Sequence, residues 1–176
     1  DRATDGTSFG AATSVDGAAW IWIPGEPVLG TGSPGAFDAG SMFAGIGLHE
    51  LPGERVGFPY GGYTQPHKYP ANLAESGLGW CLWERGRIAG LKAGERGEFW
   101  TPPLMLGGGT LRLNVRTAIG GYVRVGVADE SWAERDGFSL DDCTPIEGDQ
   151  MDAPVVWGAG TRSQLATDAP AILHFR

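Results

Sequence analysis

Residues 110–157 read TLRLNVRTAIGGYVRVGVADESWAERDGFSLDDCTPIEGDQMDAPVVW, and this stretch decides the fold. Apolar and polar side chains alternate along 111–116 and again along 122–127, on either side of the pair Gly120-Gly121. A period of two is typical of half-buried strands. We therefore expect two antiparallel strands that meet at this glycine turn.

Outside this stretch, the composition favours short strands joined by tight turns. The 176 residues include Gly 30 and Pro 12, and both residue types mark turns at that density. No segment sustains the 3.6-residue apolar period of a helix. The sequence therefore predicts an all-β protein. In its second half we expect strands, at the spacing typical of a sandwich, over 97–101, 110–117, 121–128, 153–157 and 170–176.

Charge and hydropathy exclude several classes of partner. The net charge of −8 and the absence of a basic run argue against nucleic-acid binding. No apolar stretch reaches the roughly 20 residues of a membrane span, and no leader peptide is recognisable, although a start at Asp1 suits a processed or trimmed chain. Cys81 and Cys143 are read either as a disulfide or as buried free thiols, and their spacing does not suggest zinc.

Two further segments of the first half are predicted from turn chemistry and strand character. Ser14 to Trp20 reads SVDGAAW, and we expect Asp16 to accept backbone N–H bonds at a hairpin tip while the next residue, a glycine, takes a positive φ. Leu78 to Trp83 is a continuous apolar run. It predicts a strand buried on both faces.

Four motifs, taken in chain order, carry a resemblance to a known family. They are SVDGAAW (14–20), FDAGSM (37–42), YGGYTQPH (60–67) and GFSLDDCTPIEGD (137–149). Together they resemble the C-terminal blade plus β-sandwich module of five-bladed β-propeller glycoside-hydrolase-like proteins, similar to glycoside hydrolase families thirty-two, forty-three and sixty-two. The resemblance implies propeller-blade-like antiparallel strands over residues 1–86 and a jelly-roll-like β-sandwich over 87–176.

The resemblance also implies a carbohydrate site in the first half. Asp38 is the candidate catalytic carboxylate, and the candidate substrate-binding residues are Phe37, Tyr60, Tyr63 and His67. Aromatic faces stack on sugars, and an imidazole can bond a hydroxyl. A loop-capping role for Asp38 and a packed hairpin with a surface His67 remain the alternatives.

The sequence identifies neither a complete catalytic site nor a metal site. Glycoside hydrolysis needs two carboxyl groups, and Asp38 is the one convincing member, so we expect the isolated chain to be inactive. No metal site or cofactor is predicted. The acidic loop that holds Asp141, Asp142, Glu147 and Asp149 is read as caps and turns, with calcium as the minor alternative. His49 and His174 are read as structural.

Three functions are compared. The first is a carbohydrate-associated extracellular or periplasmic protein, part of a glycoside-hydrolase-like propeller whose other blades lie outside this sequence. The alternative is a non-catalytic β-rich subunit that docks into a larger assembly, since exposed strand edges and Trp 7 suit a protein that buries surface against a partner. The third is a stand-alone sugar-binding module, which an exposed pair of Trp100 and Trp132 would favour.

Overall fold

A computed structural model describes residues 6–68, 74–166 and 168–176 of the protein. Within these ranges the regular secondary structure consists of β-strands, so the predicted all-β class is confirmed. The chain divides into two compact units, Asp1–Ile88 and Ala89–Arg176. The sequence predicted a boundary after residue 86. The finer assignment of a propeller blade and a sandwich stays a prediction.

The first unit is built around one long hairpin. Strand β5 (Arg55–Tyr63) pairs antiparallel with β6 (Ser76–Glu84) along its whole length. The opposite side of β5 is shared by two short strands: β3 (Ser41–Ala44) lies beside its C-terminal half, and β4 (His49–Leu51) beside its N-terminal half. These strands form a four-stranded antiparallel sheet in which β5 is central.

A separate small hairpin confirms the predicted Asp16 turn. Its strands are β1 (Ala12–Thr13) and β2 (Ile21–Trp22). At the tip, Asp16 Oδ1 accepts hydrogen bonds from the N–H groups of Ala18 and Ala19, at 2.8 and 2.9 Å. The glycine that follows Asp16 has a φ of 75°, a conformation that costs glycine little.

Strand β6 corrects the prediction of a strand buried on both faces. Cys81 and Trp83 point into the unit, where Cys81 is 7% exposed. On the other face Leu78, Trp80 and Leu82 are 90%, 47% and 42% exposed. The prediction was wrong because a continuous apolar run suggests cover on both sides. Here the described residues cover only one.

The described residues of the second unit form seven strands in three small sheets. They are β7 (Phe99–Trp100), β8 (Gly107–Thr110), β9 (Arg112–Arg116), β10 (Val125–Ala128), β11 (Asp149–Pro154), β12 (Gln164–Ala166) and β13 (Ile172–Phe175). Strand β13 lies between β10 and β7, β9 pairs with β11, and β8 pairs with β12. The strand predicted over 153–157 therefore begins earlier, at Asp149, and ends at Pro154.

The structure also corrects the prediction that β9 pairs with β10, since the two strands lie in different sheets. Leu113 of β9 lies opposite Ala153 of β11, and Val127 of β10 lies opposite Leu173 of β13. The strands enter different sheets because their burial differs: β9 alternates between the core and solvent, whereas every residue of β10 is buried. A strand buried on both faces needs cover that a simple hairpin does not supply.

The segment 137–149 closes the core of the second unit through a reciprocal turn. Ser139 donates through its N–H and its Oγ to Asp142 Oδ2, at 3.0 and 2.8 Å, and Asp142 N–H donates back to Ser139 Oγ at 3.2 Å. The turn directs Cys143 and Ile146 into the core. They pack there with the fully buried Trp157, whose indole N–H donates to a backbone carbonyl at 2.7 Å.

Both cysteines are free, buried thiols. Cys81 in the first unit is 7% exposed and Cys143 in the second is 2% exposed. Burial raises the pKa of both thiols. The reading as free thiols is therefore confirmed over the reading as a disulfide. No helix long and apolar enough to cross a membrane occurs in the part of the chain that the structure describes.

Candidate functional site

A buried hydrogen bond joins the first two site motifs. The loop before β3 places Phe37 and Asp38 against the inner face of the sheet, where the ring of Phe37 stacks on that of Tyr60 at 5.9 Å. The Tyr60 hydroxyl donates to Asp38 Oδ2 at 2.8 Å. Asp38 and Tyr60 are each only 8% exposed. This carboxylate therefore ties a loop to the sheet, and solvent has little access to it.

Glycines on the inner face make room for this arrangement. A Cβ on Gly62 would lie 2.5 Å from the Asp38 Cβ, and one on Gly77 would lie 2.7 Å from the Phe37 ring. A Cβ on Gly79 would lie 2.6 Å from the Tyr60 ring. Gly62, Gly77 and Gly79 are thus steric requirements, since real Cβ atoms do not approach other atoms so closely.

The chemistry of the Asp38–Tyr60 pair follows from burial and charge. Burial first, and then the hydrogen bond to Asp38, raise the pKa of Tyr60 to about 12. The phenol therefore keeps its proton at neutral pH and remains the donor. A protonated phenol that is already bonded to Asp38 is suited to holding the loop.

Tyr63 and His67 lie on the opposite, solvent-facing side of the sheet. Tyr60 and Tyr63 are an odd number of residues apart on β5, so their side chains point to opposite faces. The ring of Phe43 contacts Tyr63 at 5.8 Å and His67 at 5.3 Å. The structure therefore separates the predicted site residues into an inner group, Phe37, Asp38 and Tyr60, and an outer group, Tyr63 and His67.

The outer group continues across the sheet through residues that the sequence did not single out. Trp80 contacts His49 at 5.8 Å, edge to face. Both lie on the outer face, because Trp80 is opposite Pro59 and His49 is opposite Gly57 on β5. Phe43 is 45% exposed, Tyr63 38% and Trp80 47%. We call Phe43, Tyr63, His67, Trp80 and His49 the outer aromatic face.

The sequence pattern that predicts this face is the alternation of side chains between the two sides of each strand. Leu78, Trp80 and Leu82 occupy alternate positions of β6 and so share one face. Reading the whole run as buried concealed that face. His49 was read as structural, because only the cross-strand register brings it to Trp80.

In the second unit, three of the four acidic residues of the predicted loop, Asp141, Asp142 and Asp149, have side-chain partners within the protein. Asp149 Oδ2 accepts from Arg116 Nε at 2.8 Å, and Asp141 Oδ1 accepts from Arg124 at 3.4 Å. Asp142 is held by the Ser139 turn. Among the described residues, no group of three or more potential metal ligands lies together. These side chains act as caps and ion pairs.

Trp100 and Trp132, the pair that the sequence singled out, are in contact. Their ring centroids are 5.2 Å apart with an interplanar angle of 71°. Trp132 is 58% exposed. Trp100 also stacks on His174, with ring centroids 3.5 Å apart. His174, which was read as structural, is 4% exposed, and its Nε2 is hydrogen-bonded to Glu98.

Comparison with known proteins gives no match to any family model, curated protein or solved structure. A proposal for the function therefore rests on three groups of side chains in the structure. These are the buried Asp38–Tyr60 pair, the outer aromatic face and the Trp100–Trp132 pair.

Proposed function

We propose that this chain is a carbohydrate-associated extracellular or periplasmic protein that binds glycans on the outer aromatic face of its first unit. The observation that carries the proposal is the exposed contact of Phe43 with Tyr63 and His67. The sequence motifs that resemble glycoside-hydrolase-like propellers support the same class of ligand.

The outer aromatic face has the chemistry that a sugar requires. Exposed rings offer flat apolar surface to the C–H groups of a pyranose, while the Tyr63 hydroxyl and the His67 imidazole supply hydrogen bonds at its edge. Trp80 and His49 repeat this combination farther along the same face. Two such pairs on one sheet suit an oligosaccharide better than a single sugar.

Binding, and not hydrolysis, is the activity that we propose for the chain by itself. Hydrolysis needs two carboxyl groups about 5–9.5 Å apart that flank the glycosidic bond. Asp38 is buried and bonded to Tyr60, on the side of the sheet away from Tyr63. A catalytic role for Asp38 would require further propeller blades that open the loop and supply the second carboxylate.

The test is glycan binding by the full chain and its variants on an array, followed by calorimetry on the best ligand. Tyr63→Ala/His67→Ala should lower the affinity at least tenfold, because stacking and hydroxyl contacts are both lost. Trp20→Ala is the matched control: Trp20 is 64% exposed but lies at the small hairpin, and its loss should leave the affinity within about twofold. Equal effects of the two variants would contradict the proposal.

A second candidate function, docking into a protein assembly, has its own supporting observation. Leu78, Trp80 and Leu82 expose an apolar stripe on β6, and β6 pairs with no described strand other than β5. An apolar edge strand is a natural surface for another sheet or strand.

The two candidates compete for the same face, so one pair of measurements separates them. Docking predicts obligate co-purification with a partner, and loss of that partner in Leu78→Glu/Leu82→Glu. Glycan binding predicts a monomer by light scattering, whose sugar affinity survives that double substitution. A monomer that retains the sugar removes docking from consideration.

A further inference from the structure

The second unit displays a tryptophan in a strained backbone conformation. Trp132 has a φ of 67°, in the left-handed region that bulky residues rarely adopt. Its side chain is 58% exposed, so the strain is not offset by burial in the core. Backbone strain at an exposed large side chain is a recognised mark of a functional position.

The turn that carries Trp132 is held rigidly by one carboxylate. Asp129 Oδ1 accepts from the N–H and the Oγ of Ser131, at 2.8 and 2.6 Å, and from the N–H of Ala133 at 3.1 Å. The N–H of Trp132 itself donates to the Asp129 carbonyl at 3.0 Å. The backbone that carries the ring is therefore held in place, which reduces the entropy lost when a ligand binds.

Trp132 is the outer end of an aromatic shelf. Its ring meets Trp100 edge to face, and Trp100 stacks on His174 at 3.5 Å with an interplanar angle of 11°. Trp100 and His174 are directly opposite on β7 and β13, so the pairing of two strands fixes both rings. The shelf runs from an exposed tryptophan to a histidine that is only 4% exposed.

A carboxylate and a guanidinium stand at the inner end of the shelf. Glu98 Oε1 is bonded to His174 Nε2 and accepts from Arg176 at 3.2 Å. The other ring nitrogen, His174 Nδ1, is buried and has no hydrogen-bond partner among the described residues. The side chains of Glu98 and Arg176 are 45% and 60% exposed.

These groups differ from an aromatic cage for a cation. Aromatic faces attract a cation, but here the positively charged Arg176 is bonded to Glu98 and would repel a bound ammonium group. What remains is an apolar ring face, an acceptor oxygen and guanidinium donors. A neutral ligand with one apolar face and several hydroxyl groups matches that set.

We propose that Trp132, Trp100, Glu98 and Arg176 form a second carbohydrate-binding site, for a neutral pyranose oligosaccharide. One sugar ring stacks on Trp132, and the hydroxyl groups of the next donate to Glu98 and accept from Arg176. The site lies wholly within the second unit. It does not depend on the outer aromatic face of the first.

The experiment measures binding of cellotetraose, xylotetraose and mannotetraose to the full chain by calorimetry. It uses Tyr63→Ala/His67→Ala as the parent, so a failure of the first-unit site does not affect the result. Trp132→Gly should abolish binding, or lower the affinity at least thirtyfold, because the stacking ring is gone. Trp132→Phe should retain part of the affinity, and Glu98→Gln should lower it severalfold. Tyr122→Ala, at another exposed aromatic residue of this unit (52% exposed), should stay within about twofold.

Thermal unfolding of Trp132→Gly separates a binding role from a structural one. Glycine adopts a φ near 67° without strain. If Trp132 serves to bind a ligand, Trp132→Gly should therefore leave the Tm unchanged or raise it. A clear fall in Tm with unchanged sugar binding would assign Trp132 to packing and overturn the proposal. It would also be overturned if none of the three oligosaccharides bound to the parent, or if tetramethylammonium bound more tightly than all of them.

Discussion

At the scale of single residues, the Asp38–Tyr60 hydrogen bond connects two motifs that sequence reasoning treated as parts of an open sugar site. Asp38 is 8% exposed and bonded to the Tyr60 phenol, so its main role is to stabilise the fold and not to bind a substrate. Its removal from water is tolerated because the phenol satisfies one of its oxygens. A substrate that bonds to Asp38 Oδ2 would have to replace the Tyr60 hydroxyl.

Tyr60→Phe should therefore destabilise the first unit by about 1–3 kcal/mol, because a buried carboxylate would lose its donor while the ring volume is kept. Urea unfolding followed by fluorescence measures the change. Tyr63→Phe removes a hydroxyl from the exposed tyrosine of the same strand, and should cost less than about 0.5 kcal/mol. If the two substitutions cost the same, the bond to Asp38 is not stabilising.

Asp142 is the residue whose charge should stabilise the second unit in a pH-dependent way. The Ser139 hydroxyl first, and then the Ser139 N–H, lower the pKa of Asp142 below 3.8. This stabilisation is complete above the ordinary pKa of an aspartate and is lost as the pH falls through the lowered value.

Asp142→Ala should consequently lower the urea midpoint of the second unit at neutral pH. The gap between wild type and variant should narrow once the pH falls below 3.8. Asp152→Ala is a suitable control, because Asp152 is an exposed partner of Arg112 outside this turn. A gap that is constant with pH would show that the charge of Asp142 does not contribute.

At the scale of elements, the parity of β5 determines what each glycine of YGGY does. A Cβ on Gly62 would meet Asp38 at 2.5 Å, whereas a Cβ on Gly61 would meet nothing within 4 Å. Neighbouring, chemically identical residues thus face a filled interior and open solvent.

Gly62→Ala should accordingly destabilise the first unit by about 1–3 kcal/mol through overpacking. Gly61→Ala should be neutral, or stabilising by up to about 1 kcal/mol, because the unfolded chain loses freedom. Denaturant unfolding of the two variants side by side measures the difference. Destabilisation by Gly61→Ala alone would reverse the assignment of the two faces.

Local patterns in the sequence predicted elements better than their partners. The all-β class, the Asp16 turn and the alternation of Leu113 and Val115 with polar residues follow from short-range chemistry, and all appear in the structure. The partners of β9 and β10 do not follow, since pairing depends on residues 30 or more positions away. The candidate site was divided for the same reason: spacing along β5 places Tyr60 and Tyr63 on opposite faces.

At the scale of the whole molecule, the chain consists of two compact units joined by an exposed segment. Strand β6 ends at Glu84 and β7 begins at Phe99, and the residues from 88 to 98 are exposed and contain no strand. Lys92 and Arg96 lie in this segment, so a protease has both accessible chain and cleavable residues there.

Limited trypsin treatment should therefore cut first after Lys92 or Arg96. The products, identified by mass spectrometry, should be an N-terminal and a C-terminal fragment that each resist further digestion. Lys92→Gln/Arg96→Gln should slow the first cut at least tenfold. Early cleavage within β9 or β10 would contradict the compactness of the second unit.

Each unit contains one buried thiol whose rate of chemical labelling reports how often that unit opens. Cys81 and Cys143 sit one per unit, both shielded and both with a raised pKa, so a maleimide can reach either sulfur only while its surroundings open. Mass spectrometry of separately labelled peptides would time that opening at two places in a single sample. The wild-type chain would thus show, without an engineered cysteine, whether its two units open together or independently.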